Sequence, residues 1–205
     1  MGLTAKKTGD GKDFDPIPEG FYHAICYSIH DLGTQFNEKF GKNSHKVLIT
    51  WELPTERIEI EKDGETKDLP RAISKRYTLS LHEKAILRKD LESWRGRSFT
   101  EKELDGFDLK NVLGANCAIQ IIHNKKDDKV YANISTIVPK IKEWEKKEAE
   151  NPLKFFSFEE DSSIPAGTPD WVADIIKLSN EWNALIPEEK YESSSDIPPY
   201  DDIPF

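Results

Sequence analysis

Alternating apolar and polar positions run through the first two thirds of the chain. Between Phe21 and His30, Phe21, Ile25, Tyr27 and Ile29 share one face, and Ala24, Cys26 and Ser28 share the other, which predicts a strand. The polar segment Asp31 to Ser44 then reads as a loop. A second strand spans His45 to Leu53, where Val47, Ile49, Trp51 and Leu53 alternate with Lys46, Thr50 and Glu52 until Pro54 ends the run. Arg57 to Leu69 predicts a protruding hairpin that turns at Asp63-Gly64. A third main strand covers Ile73 to Leu81, with Tyr77, Leu79 and Leu81 facing one way and Arg76, Thr78 and Ser80 the other.

The period then changes. Ser80-Leu81-His82-Glu83 has the spacing of a capping box, and Ala85, Leu87, Leu91 and Trp94 form a helical stripe that Gly96 can close. Thr100-Glu101-Lys102-Glu103 is a second capping box, ahead of a short turn ending near Gly106. Two more strands, Asn116 to His123 and Val130 to Val138, are joined by the basic loop Asn124 to Lys129. Pro139 to Glu150 is charged and compatible with a short helix around Trp144, and Phe155, Phe156 and Phe158 are expected to pack back onto the body. A last helix starts with Thr168 at its N-cap and Pro169 at its first position. Trp171, Ile175, Leu178, Trp182 and Leu185 give it one apolar stripe, expected to be buried on the chain's own body or in a dimer.

Strand, strand, strand, helix, strand, strand is the order of an OB-fold. The expected fold is therefore mainly β: a five-stranded barrel with a helix between strands 3 and 4, a protruding hairpin, a C-terminal helix and a disordered acidic tail. Four segments follow: an arm over 1–14, the barrel over 15–150, an extension over 151–187, and a linker with tail over 188–205.

Charge first argues against a nucleic-acid binder, because the formal net charge is −9. Its distribution removes the objection. Residues 151–205 carry 12 acidic and 3 basic side chains, whereas residues 1–150 carry 26 of each. Arg71 to Arg97 alone holds 8 basic and 3 acidic residues. A neutral body with a basic groove, followed by an acidic tail, suits single-stranded DNA binding, in which cations follow phosphates and rings stack on bases of any identity. An OB-fold binds on strands 2 and 3 and the loops after strands 1 and 4. Here these places offer Phe36, Lys39, Phe40 and Lys42, then Lys46, Lys75 and Arg76, then Lys125, Lys126, Lys129 and Tyr131. Trp51 and Tyr77 stand on the apolar faces of their strands and either stack on bases or, as the pattern favours, pack in the core. Arg88, Lys89, Arg95 and Arg97 either extend the DNA path or solvate a helix and its exit.

Other chemistry is absent from the pattern. Cys26 and Cys117 form no framework, and His23, His30, His45, His82 and His123 make no helix-spaced pair, so no metal or other cofactor is expected. Gly41-Lys42-Asn43-Ser44 lacks the upstream glycine of a phosphate loop, and no Gly-x-Ser-x-Gly elbow occurs, so no enzyme is expected. No apolar run is long enough to span a bilayer and Met1 to Lys7 is no leader, so a cytoplasmic protein is expected, as a monomer or homodimer.

Four stretches of the body and the terminal pentapeptide carry a family resemblance. Leu32-Gly33-Thr34-Gln35, Val47 to Pro54, Ser74 to Lys84 and Leu87 to Arg97 resemble the single-stranded DNA-binding proteins encoded by bacteriophages and prophages. The terminal Asp201-Asp202-Ile203-Pro204-Phe205 is similar to the end of bacterial single-stranded DNA-binding proteins. The resemblance implies an OB-fold that coats single-stranded DNA in phage replication or recombination inside a bacterial host. It also implies a tail that docks replication and recombination proteins, with Phe205 in a pocket and Asp201 and Asp202 on a basic rim. The competing reading is an OB-like adaptor that binds protein and little DNA.

Overall fold

The computed structural model describes residues 15–38, 41–62, 64–127 and 129–185. The arm, Lys39, Phe40 and the tail residues Asp201, Asp202, Ile203, Pro204 and Phe205 lie outside them. Within them the chain runs β1 (Gly20–Asn37), β2 (Lys42–Lys62), β3 (Glu65–Thr78), α1 (Ile86–Arg95) and α2 (Glu101–Asp105). A single 3₁₀ turn follows over Leu109–Val112, then β4 (Asn116–Lys126), β5 (Lys129–Pro139), β6 (Lys154–Phe156), α3 (Asp170–Lys177) and α4 (Asn180–Leu185). The protein is mainly β. Five strands form an antiparallel sheet in the order β3-β2-β1-β4-β5, and β6 pairs in parallel with β1. The edge strands β3 and β5 approach one another, and α1 lies against both.

The inward faces of this curved sheet make the main core. Trp51, Ile49 and Leu53 of β2, Tyr77 and Ile73 of β3, and Cys117 and Ile119 of β4 meet Leu87, Leu91 and Trp94 of α1. The α1 stripe is thus buried as its spacing predicts, and Gly96 ends the helix at φ 67°. The helix begins later than Ser80, however. Ser80 Oγ accepts from the His82 amide at 3.1 Å in a local turn, and Ala85 takes the N-cap position without a side-chain bond. The second capping box is present as read: Thr100 Oγ1 accepts from Glu103 N, and the Glu103 carboxylate accepts from Thr100 N.

One expected loop is largely strand. β1 and β2 pair down to Asn37 and Lys42, so most of Asp31 to Ser44 is ladder. Local polarity hides this because the burial comes from far along the chain. Gly33, at φ 64° beside a register shift, approaches the α3–α4 junction so closely that a Cβ would meet the Ser179 Cβ at 2.5 Å. A second shift at Tyr27 breaks the alternation of β1: Cys26 opposes Trp51 in the core, whereas Ser28 opposes Thr50 on the outer face. The β2–β3 hairpin projects as predicted, pairing out to Lys62 and Glu65 with Gly64 at φ 79°. No helix forms between Pro139 and Glu150; there Trp144 stacks on His23 with ring centroids 5.1 Å apart.

The extension folds back onto the outer face of β1 and β2 as a second, smaller core. Leu32, Leu48, Phe156, Val172 and Ile176 bury one another, with Phe158 and Trp182 partly covered. This corrects the expected apolar stripe. Pro169, not Thr168, is the N-cap; α3 stops at Lys177, and α4 is a separate helix. A two-turn helix buries Val172 and Ile176, one position off the expected row. Trp171, Leu178 and Leu185 are left 50%, 73% and 48% exposed. Among the described residues no helix is long and apolar enough to cross a membrane.

Candidate nucleic-acid interface

Alternation along β2 and β3 decides which side chains share the outer face. Lys46, Leu48, Thr50 and Glu52 oppose Thr78, Arg76, Ser74 and Ala72. The extension covers Leu48 and the adjoining part of β1 but leaves Ala72, Arg76 and Thr78 exposed. Lys46 Nζ donates to Thr78 Oγ1 at 2.7 Å, and Thr50 and Ser74 hydroxyls are hydrogen-bonded at 2.9 Å. Arg76 makes no ion pair with any described residue. This strip presents free positive charge and hydroxyl groups on adjacent rungs.

Several expected contributors lie elsewhere. Trp51 is fully buried and Tyr77 is 3% exposed, so both are core residues, and the Tyr77 hydroxyl donates to Asp90 at 2.8 Å. Lys75 points inward with Tyr77 and pairs with Asp90 at 2.7 Å. Arg88 pairs with Glu92 at 3.1 Å, and Arg95 and Arg97 both pair with Glu103. Arg95 also lies over the Phe99 and Phe107 rings, 4.4 and 4.9 Å from their centroids. These six cationic or aromatic groups make contacts within the body, and only Lys89 of the α1 set stays exposed without a partner among the described residues. Phe36 is 65% exposed but opposes Asn43, on the same face as His45 and thus opposite Lys42 and Lys46. Lys125, Lys126, Lys129 and Tyr131 are exposed on the β4–β5 hairpin, across β1 from the β2–β3 strip.

Three polar contacts anchor the extension beside this strip. The buried Glu52 carboxylate accepts from the amides of Glu150 and Asn151 and from Asn151 Nδ2, at 2.9, 2.8 and 2.7 Å. His30 bridges Ser28 and Thr168 at 3.0 and 3.3 Å. Burial, with Lys154 nearby, pushes its pKa down to about 4, so the ring is neutral near pH 7. At the other end, Glu181 of α4 accepts from both the amide and the hydroxyl of Thr34 at 2.6 Å.

His45 completes this last clamp, 2.6 Å from Asp31 and 3.5 Å from Glu181. The hydrogen bond that its ring donates to Asp31 raises its pKa above the ordinary 6.5; burial opposes this, and the charges of Asp31, Glu181 and Glu159 add to it. A raised folded value adds stability that is fully present below the unfolded pKa and is lost as pH rises through the folded one. We expect the stability difference between the native chain and His45→Gln to be largest near pH 6 and to shrink toward pH 8. Urea melts across that range check it, and a difference that grows with pH contradicts it.

The larger recess, about 530 Å³, lies beside this clamp. Asp31, Asp108, Glu159, Glu160 and Glu181 line it together with Phe155 and Phe158. Its five carboxylates give it a negative field that repels a phosphate backbone. Among the described residues no group of His, Cys, Asp or Glu is placed to hold a metal ion. No protein-family model and no curated protein sequence matches this chain.

Proposed function

We propose that this chain is a single-stranded DNA-binding protein of the phage and prophage type, built on an OB barrel, that coats DNA during replication or recombination. Support for the barrel comes from the strand order β3-β2-β1-β4-β5, with α1 between β3 and β4 and the two edges drawn together. The observation that carries the function is the open outer strip of β2 and β3, where Lys46 and Arg76 flank hydroxyl groups on the face an OB-fold uses for oligonucleotides. The tail Asp201 to Phe205 serves as the docking peptide for partner proteins.

Four cations on or beside the outer strip, Lys42, Lys46, Arg76 and Lys154, set the expected salt response. At about 0.7 per phosphate, log affinity for oligo-dT falls with log salt at a slope of about −3, and duplex of equal length binds more weakly. Anisotropy titrations at several salt concentrations measure both quantities. The same titration on a chain lacking Asp201–Phe205 keeps its DNA affinity if the tail serves partners alone. Equal binding to duplex, or no salt dependence, counts against the reading. The adaptor alternative draws on the acidic, aromatic recess, which suits a basic protein segment; absence of DNA binding in this titration favours it.

A further inference from the structure

The outer strip has a defined end. A recess of about 310 Å³ opens between the sheet and the extension. Its floor is polar: Ser28, Thr50 and Ser74. Tyr27, at the register shift in β1, lines it together with Lys154 of β6 and Trp171 of α3. Trp171 is half exposed because Val172 and Ile176 take the buried positions of α3, which leaves the neighbouring indole beside the recess. Pro169 at the N-cap fixes the backbone that presents it. The Lys154 ammonium donates to the Gly167 carbonyl at 2.5 Å and keeps its remaining protons for another acceptor. On the sheet, Arg76 is the next outward residue after Ser74, and Lys46 lies one rung beyond, opposite Thr78.

We propose that this recess receives one unstacked base of the bound strand, with Trp171 as stacking platform, the floor hydroxyls on the base edge, and Lys154 and Arg76 on the flanking phosphates. The inference rests on the DNA-binding reading and deepens it. It assigns the stacking role to a ring of the C-terminal extension; of the two rings expected to stack, Phe36 faces away from the cationic strip and Phe40 lies outside the described residues. Hydroxyls act as donor and acceptor alike, so the pocket tolerates any base. A ring and a nearby ammonium are the two elements that sequence-tolerant binding of single strands needs. The covering of β1 by the extension acquires a second consequence here, since the same packing that buries Val172 builds one wall of the site.

The test uses the full chain and labelled oligo-dT. Trp171→Ala is expected to weaken binding about tenfold and Trp171→Phe about twofold, with thermal melts near the native one because the indole is half exposed. Adding oligo-dT to the native chain is expected to quench indole fluorescence, and Trp171→Phe to lose that quench while still binding. Lys154→Gln is expected to flatten the salt slope by about 0.7, one phosphate contact. Native affinity and slope in all three variants, while the native chain binds oligo-dT, overturn this site and leave the DNA-binding reading standing. If the native chain fails to bind oligo-dT, that reading falls and the inference falls with it. If dTMP quenches Trp171 at the concentrations that oligo-dT does, the recess is a mononucleotide site and the proposed strand contact is wrong.

Discussion

Replacing Trp51 with alanine is expected to destabilise the fold by about 3–5 kcal/mol, the range for emptying a large aromatic site in a packed core. Trp51 is fully buried at the centre of the sheet's inner face, with the Trp94 ring of α1 at 5.7 Å, tilted by 54°. It therefore joins the sheet to the helix that closes one side of it. A domain of ordinary stability, about 5–15 kcal/mol, would retain little margin, and the melting temperature should drop by roughly 6–20 °C. Trp51→Phe separates size from polarity. Trp51 Nε1 has no hydrogen-bond acceptor and faces the Cys117 thiol, so removing that N–H offsets part of the lost packing. The phenylalanine variant is expected to lose less than half as much as the alanine variant. Calorimetric melts measure both, and a native melt for Trp51→Ala would mean that this ring is not a core member. Oligo-dT affinity at a temperature where the variant is still folded should match the native value, because the ring has no exposed surface for a base.

Glu52→Ala is expected to have the next largest effect, about 2–4 kcal/mol, concentrated where the extension leaves the sheet. The carboxylate is fully buried and holds three donors of Glu150 and Asn151. Alanine removes the acceptor shared by these three partly buried N–H groups. The stabilisation lost is less than three charged hydrogen bonds would give singly, because the variant no longer has to bury a carboxylate. The exposed Arg57–Glu150 pair, at 2.6 Å, is the adjacent tie and contributes little on its own. Melts give the global cost, and limited proteolysis of 140–153 gives the local one, with faster cleavage expected in Glu52→Ala and an intermediate rate in Glu52→Gln, which keeps one acceptor oxygen. A native cleavage rate in Glu52→Ala would show that other contacts hold the segment.

The outer strip, the recess and the three ties of the extension belong to one arrangement. Glu52 pins the start of the extension, His30 holds the Thr168 turn, and Glu181 with His45 holds α4 to the β1–β2 hairpin. Each of these ties links the body to a segment about 100 residues or more away in sequence. Together they set where Trp171 stands relative to Thr50 and Ser74. On the proposed function, variants that loosen any of them should disturb oligo-dT binding through position, with no direct contact to the strand.

What the sequence alone determined is the set of features controlled by near neighbours. Strand periodicity in β2, β4 and β5 follows from side chains pointing alternately to two faces, and it placed Trp51 and Ile49 on the buried side. The α1 stripe, the Gly96 stop, the Thr100 capping box and the Asp63-Gly64 hairpin depend on residues a few positions apart, so they were legible without a fold. The tertiary structure decided the rest, because it turned on partners distant along the chain. Lys75 pairs with Asp90, and Arg95 and Arg97 pair with Glu103, although their charge reads the same in sequence whether free or paired. The register shifts at Tyr27 and Gly33 break the alternation of β1, so no fixed period could assign its two faces. Val172 and Ile176, not the row through Trp171, became the buried face of α3, because the outer surface of β1 and β2 chose which side of a short helix to cover. That last choice, made by packing between segments far apart in sequence, left Trp171 beside the cationic strip.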